Sequence, residues 1–138
     1  FGLKGGIQQA CRDALSSAVE MQCRMENLNQ AVCRELNAQL RIGIGIHCGE
    51  AIVGPMGPPD ARVVSAIGDS VNIASRLEES SKQFGCVLVV SQETVKRAGL
   101  DIHNVELQEI DIRGRHQRLA VYPVCDVEDI KSALEKAQ

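Results

Sequence analysis

Ile67-Gly68-Asp69-Ser70-Val71-Asn72-Ile73-Ala74-Ser75-Arg76-Leu77-Glu78 decides how this chain is read. Asp69 is a good helix N-cap, so the stretch predicts a helix from Asp69 to Phe84 with Gly85 as its stop. On it Ile73, Leu77 and Phe84 form one apolar row, and Asn72 with Arg76 falls roughly 100° away from that row. An amide and a guanidinium one turn apart thus flank the core stripe just inside a helix start. Free N–H groups, an amide donor and a guanidinium fork suit a ribose and its phosphates. A solvated helix face carries the same pair, so the spacing alone assigns no function.

Outward from this helix, Arg41 to His47 sets Ile42, Ile44 and Ile46 against Gly43 and Gly45, a period of two that predicts a strand. His47-Cys48-Gly49 reads as a tight turn and Glu50 to Val53 as the second arm of a hairpin. Gly54-Pro-Met-Gly-Pro-Pro59 predicts a loop or arm over 54–62. Downstream, Cys86 to Val90 is a continuous apolar run that predicts a buried strand. Ser91 caps a short helix, and Leu107–Ile112 with Leu119–Val124 reads as a hairpin around Arg113-Gly114-Arg115-His116. Residues 126–137 predict a final helix with Ile130 and Leu134 inward. Upstream, Ile7, Cys11, Leu15, Ala18, Met25, Leu28, Val32 and Leu36 mark a long amphipathic helix over residues 6–37, with a break near Asn27 to Asn29. No repeat or linker is visible, so the 138 residues read as one α+β domain.

Composition narrows the function classes. Phe1, Phe84 and Tyr122 are the only aromatics, so the core is aliphatic and there is no stacking platform for single-stranded nucleic acid. A net charge of −3 without a Lys/Arg run argues against any nucleic-acid partner. The six cysteines include no Cys-x-x-Cys pair, which disfavours zinc and predicts reduced thiols in a cytoplasmic setting. No apolar run could span a membrane, so no membrane contact by this domain is expected, although a larger parent could be anchored. The chain opens on Phe1-Gly2-Leu3 instead of Met, which predicts a piece of a longer sequence. Gly43-x-Gly45 lacks the third glycine of a dinucleotide fingerprint because Cys48 stands there, and no Gly-x4-Gly-Lys-Ser/Thr occurs. Gly43 and Gly45 instead predict close approach of a neighbouring backbone or a ligand. His47, His103 and His116 share no metal-ligand spacing, and His47 reads as structural.

The blocks occur in a telling order. Arg41-Ile-Gly-Ile-Gly-Ile-His-Cys-Gly-Glu-Ala-Ile-Val-Gly-Pro-Met-Gly57, the Val71-Asn-Ile-Ala-Ser-Arg-Leu-Glu78 run and Cys86-Val-Leu-Val-Val-Ser-Gln-Glu-Thr-Val95 together resemble the catalytic domain of the class III nucleotidyl cyclases, from its middle to its C-terminal end. The likeness spans about residues 1–125 and is most like bacterial adenylate cyclases. It implies a ferredoxin-like α+β sandwich, a mainly antiparallel sheet backed by helices, lacking its N-terminal part. It also implies conversion of ATP to 3′,5′-cyclic AMP and pyrophosphate, in second-messenger signalling, by a head-to-tail homodimer with sites at the interface.

Residue by residue, Asn72 aligns with the family's ribose-orienting amide and Arg76 with the guanidinium that meets charge on the α-phosphate. Ser65, with Ala66 beside it, aligns with the purine-reading position, and a hydroxyl there tips the reading towards ATP. Arg113 matches the residue that holds the terminal phosphates, with Arg115 the next candidate. Two departures qualify the likeness. The aspartates that hold two Mg²⁺ or Mn²⁺ ions, and the purine-reading lysine, are expected upstream of Phe1, so these residues alone are expected to be inactive. Val64 replaces an aromatic residue. The alternatives are a catalytically inactive cyclase-homology domain for nucleotide sensing or dimerisation, and an unrelated ferredoxin-like binding module.

Overall fold

A computed structural model describes residues 1–112 and 118–137. The elements run α1 (Ile7–Leu36), β1 (Ile44–Ile46), β2 (Ile52–Met56), β3 (Val63–Ile67), α2 (Asp69–Phe84), β4 (Leu88–Ser91), α3 (Gln92–Ala98), β5 (Gln108–Ile110), β6 (Leu119–Val124) and α4 (Glu128–Lys136). A four-stranded sheet has the order β1-β4-β6-β5, and β2 with β3 forms a separate two-stranded ribbon. β4 lies between a parallel β1 and an antiparallel β6, and β5 completes the sheet antiparallel to β6. The result is the expected α+β class, a mixed and mainly antiparallel sheet with helices on both faces.

The alternation of β4 explains how two cores form from one strand. Leu88 and Val90 point to one side, where α1, α3 and α4 supply Leu15, Ala18, Val95, Ala98 and Ile130. Val89 points to the other side, where α2 supplies Ile73 and Leu77 and β6 supplies Val121. All four β4 residues are buried, which accounts for the unbroken apolar run there. Ser91 ends the strand as the N-cap of α3, its Oγ accepting from the Thr94 amide at 3.4 Å.

Four expectations are corrected. First, α1 is unbroken through Asn27–Asn29. The Asn29 amide is used by the returning chain, donating from Nδ2 to Leu40 O and accepting from Leu40 N at Oδ1, both at 2.8 Å. Among the described residues the buried side chains of α1 lie in its first half, and Met21 and Leu28 are exposed. Second, β1 does not turn back on residues 50–53. It pairs with β4, Ile44 opposite Leu88, and Gly49 has none of the positive φ that a tight two-residue turn needs. Third, the region read as a loop over 54–62 is strand as far as Met56, paired in register from Ile52 opposite Ile67 to Met56 opposite Val63. Pro55 is tolerated because a two-stranded ribbon has only edges. The loop is confined to 57–62, where Gly57 takes φ +118° and the Ala61 amide donates to Pro58 O at 2.9 Å. Fourth, Asp69 is the first helical residue and Gly68 occupies the cap. A Cβ at Gly68 would stand 2.9 Å from Glu50 O and 3.2 Å from Ala51 Cα, so that position excludes any side chain.

α1 is tied to the far end of the sequence by one side chain. Arg12 Nε donates to Ala98 O at 2.7 Å and Nη1 to Ala137 O at 3.2 Å, so one guanidinium closes the carbonyl ends of both α3 and α4. Arg12→Ala is expected to lower unfolding stability by about 2 kcal/mol, as charge-assisted bonds to part-buried carbonyls are lost. Urea unfolding of the two proteins checks this, and a change below about 0.5 kcal/mol would refute the role.

Candidate active site

The start of α2 is built by its neighbours. Gly45 and Gly43 on and beside β1 let the α2 backbone lie directly on that strand, because a Cβ at Gly45 would fall within van der Waals contact of Ala74 O and the Glu78 amide. The close approach expected of these glycines is therefore to a helix backbone. Next, the 47–50 loop holds the first turn of α2. Ser70 Oγ donates to Glu50 O at 2.7 Å, and a Cβ at Gly49 would lie 2.8 Å from Ser70 Cβ. His47 anchors the same loop to the cap of α3, its Nδ1 2.9 Å from Ser91 Oγ, which in turn lies 2.9 Å from Thr94 Oγ1. His47 thus takes part in the fold through a hydroxyl partner that was not legible from spacing.

On this frame α2 carries its functional candidates at its edge. Ile73 and Leu77 are buried, at 1% and 0% exposure, with Phe84 packed against the same cluster. Asn72, now the fourth helical residue, is exposed, and Arg76 one turn on is half-buried. Among the described residues neither the Asn72 amide nor the Arg76 guanidinium has a side-chain hydrogen bond or an ion pair. The Arg76 main-chain carbonyl accepts from Ser80 Oγ at 2.7 Å. An unpaired guanidinium at a helix edge is available to an anion.

Ser65 and Ala66 lie on β3, which Gly68 alone separates from α2, so they stand at the root of the same helix. Ser65 is half-buried and its Oγ makes a long contact, 3.5 Å, with Val63 O, while Ala66 is exposed opposite Val53. Arg113 and Arg115 lie outside the described residues. Among the described residues no three His, Cys, Asp or Glu side chains converge on a position that could hold a metal ion. No described helix is long and apolar enough to cross a membrane.

Residues 1–124 match the family described as the adenylate and guanylate cyclase catalytic domain. The chain belongs to that family. This cyclase domain is 35% identical over 120 residues to adenylate cyclase 1 of Rhizobium meliloti, covering 87% of the chain and 17% of that protein. It is 29% identical over 119 residues to an adenylate cyclase of Anabaena cylindrica, covering 80% of the chain and 24% of that protein. Among solved structures it superposes on the guanylyl cyclase Cya2 with a TM-score of 0.76 at 27% identity, covering 90% of the chain and 62% of Cya2. The cyclase domain thus spans a quarter or less of these two curated relatives and under two-thirds of the solved one. The likeness of order in the sequence is borne out, and the reading as an unrelated binding module falls.

The side of the domain next to the site is strongly apolar. Ile52, Val63, Val64 and Ile67 on the β2–β3 ribbon are 74%, 65%, 69% and 59% exposed, and Val71 at the start of α2 is 38% exposed. Exposed aliphatic side chains gathered in this way are characteristic of protein, membrane or ligand contacts.

Proposed function

We propose that the protein to which these residues belong forms 3′,5′-cyclic AMP and pyrophosphate from ATP, in sites shared between two copies. The observation that carries this reading is the free Asn72–Arg76 pair, one turn apart beside an apolar ribbon, in a chain of the cyclase family. In the reaction the ribose 3′-oxygen bonds to the α-phosphorus, the bond from that phosphorus to the bridging oxygen breaks, and the hydroxyl proton leaves. Asn72 orients the ribose for that attack. Arg76 meets the charge that builds on the α-phosphate oxygens, which a fixed bidentate donor stabilises more in the transition state than in the bound substrate.

Ser65 accepts from the adenine amino group with Ala66 beside it, and Arg113 holds the terminal phosphates. Mg²⁺ or Mn²⁺ would be held by carboxylates outside these 138 residues. The β2–β3 ribbon is the contact between copies, with Ile52, Val64 and Ile67 at its centre. Five free cysteines among the described residues support a reducing, cytoplasmic setting.

The test is made on the longer protein with Mn²⁺ or Mg²⁺. Cyclic AMP should form from ATP faster than cyclic GMP from GTP, and GTP turnover equal to or above that of ATP would overturn the assignment of Ser65. Val64→Asp on the ribbon should produce monomers and remove activity together, by size-exclusion and product assay. A second reading is a nucleotide-sensing or dimerising domain that keeps the fold without catalysis. Saturable ATP binding with no product from the longer protein would select it.

A further inference from the structure

Cys11 and Cys48 come from distant parts of the sequence and meet at one place. Cys11 lies in the second turn of α1, 4% exposed, within the core that β4, α3 and α4 share. Cys48 follows β1 by two residues, half-buried against the same cluster. Both residues line an open groove of about 480 Å³ between α1 and β1, with Cys48 close enough to act on the Cys11 thiol. The Arg97 guanidinium is paired with Glu93 at 2.6 Å, and its charge acts on the Cys11 thiol.

We propose that Cys11 and Cys48 are a peroxide-sensitive dithiol whose disulfide fastens the 47–50 loop to α1. Thiols are oxidised through the thiolate. Burial first, and then the charge of Cys48, push the Cys11 thiol up to about 11. Cys11 is therefore the member that keeps its proton, and Cys48, open to the groove, is the one that reacts first. The Cys48 thiolate attacks hydrogen peroxide, the O–O bond breaks, and Cys48 becomes a sulfenic acid as one water is released. The Cys11 sulfur then attacks the sulfenic sulfur, the S–O bond breaks, and a second water leaves with the Cys11 proton. Two thiols and one peroxide give one disulfide and two waters, with two electrons passing from sulfur to peroxide.

The other neighbouring thiols are built differently. Cys86, whose pKa is raised by burial first and then by Cys125, donates its S–H to Leu88 O at 3.4 Å, so its hydrogen bond goes to the backbone. Cys23 and Cys125 are exposed. The bridge also has a structural consequence, because the 47–50 loop carries the Glu50 carbonyl that holds Ser70 in the first turn of α2.

The purified protein is treated with hydrogen peroxide at neutral pH, its remaining thiols are alkylated, and tryptic peptides are mapped by mass spectrometry. A reducible cross-link between residues 5–12 and 42–62 should be the dominant product, formed at least tenfold faster than any bridge involving Cys23, Cys86 or Cys125. It should be absent from Cys48→Ser, with circular dichroism confirming that variant's fold. In Cys11→Ser the Cys48 sulfenic acid has no partner, so dimedone labelling at Cys48 should rise several-fold over the unaltered protein. Over-oxidation of Cys48 without a bridge, a faster Cys86–Cys125 bridge, or equal dimedone labelling of both proteins would each overturn the proposal. None of these readouts depends on nucleotide turnover.

Discussion

Arg76→Ala in the longer protein is expected to lower kcat on the order of 10²-fold or more while ATP affinity changes much less. The guanidinium is free of partners among the described residues, and the charge it is placed to meet is largest in the transition state. Asn72→Ala should act in the same sense by loosening the ribose. Neither side chain belongs to the Ile73–Leu77 row, which is buried while Asn72 is exposed and Arg76 half-buried, so stability should fall by no more than about 1 kcal/mol. The two effects are separable by steady-state kinetics and urea unfolding on the same preparations. A large stability loss would instead place Arg76 in the fold. The shared-site reading has its own check: Arg76→Ala chains mixed with chains lacking an upstream metal aspartate should regain part of the activity, because one interface site becomes whole. No recovery in a confirmed heterodimer would refute shared sites.

The second large effect is expected at Gly45, and it is structural. A methyl group at this position would lie 3.0 Å from Leu77 C and still closer to Ala74 O and the Glu78 amide, all of them α2 main-chain atoms that have no rotamer with which to move aside. Gly45→Ala should therefore destabilise the protein by about 3 kcal/mol, at the upper end of overpacking effects. Gly45→Val should approach the whole stability of a small domain and fail to yield folded protein. Gly54→Ala is the matched control, since a Cβ there meets nothing within 4 Å, and its effect should stay within about 0.5 kcal/mol. Chemical denaturation of the three proteins decides the point, and a neutral Gly45→Ala would mean that α2 does not rest on β1 as described.

The parts of this fold that were legible in sequence are those whose cause is local. Ser91 announces a cap, Gly85 a stop, and Ile73 with Leu77 a buried face, and each lies where the pattern puts it. Pairing partners were not legible, because Ile44 meets Leu88 across more than forty residues and nothing beside either of them records it. β3 was missed for a different reason. Val63-Val-Ser-Ala-Ile67 neither alternates nor faces a core, and its aliphatic side chains point into solvent, where burial cannot leave a periodic trace. At the candidate site, Asn72 and Arg76 were singled out by type and spacing together with the likeness of the blocks around them. The hold of Glu50 and Gly49 on Ser70 was hidden, since it consists of a main-chain carbonyl and a missing side chain.

The β2–β3 ribbon closes over a loop of six residues and is complete by Ile67, whereas the central strand of the sheet begins at Leu88 and its antiparallel partner only at Leu119. A hairpin of this kind forms in microseconds, and a ribosome adds roughly 5–20 residues per second, so the ribbon is finished on the order of a second or more before the core can close. Neighbouring nascent chains on one messenger would thus display matching aliphatic ribbons while each core is still unmade. If the ribbon is the contact proposed between copies, this order of synthesis lets it meet a sister chain during translation.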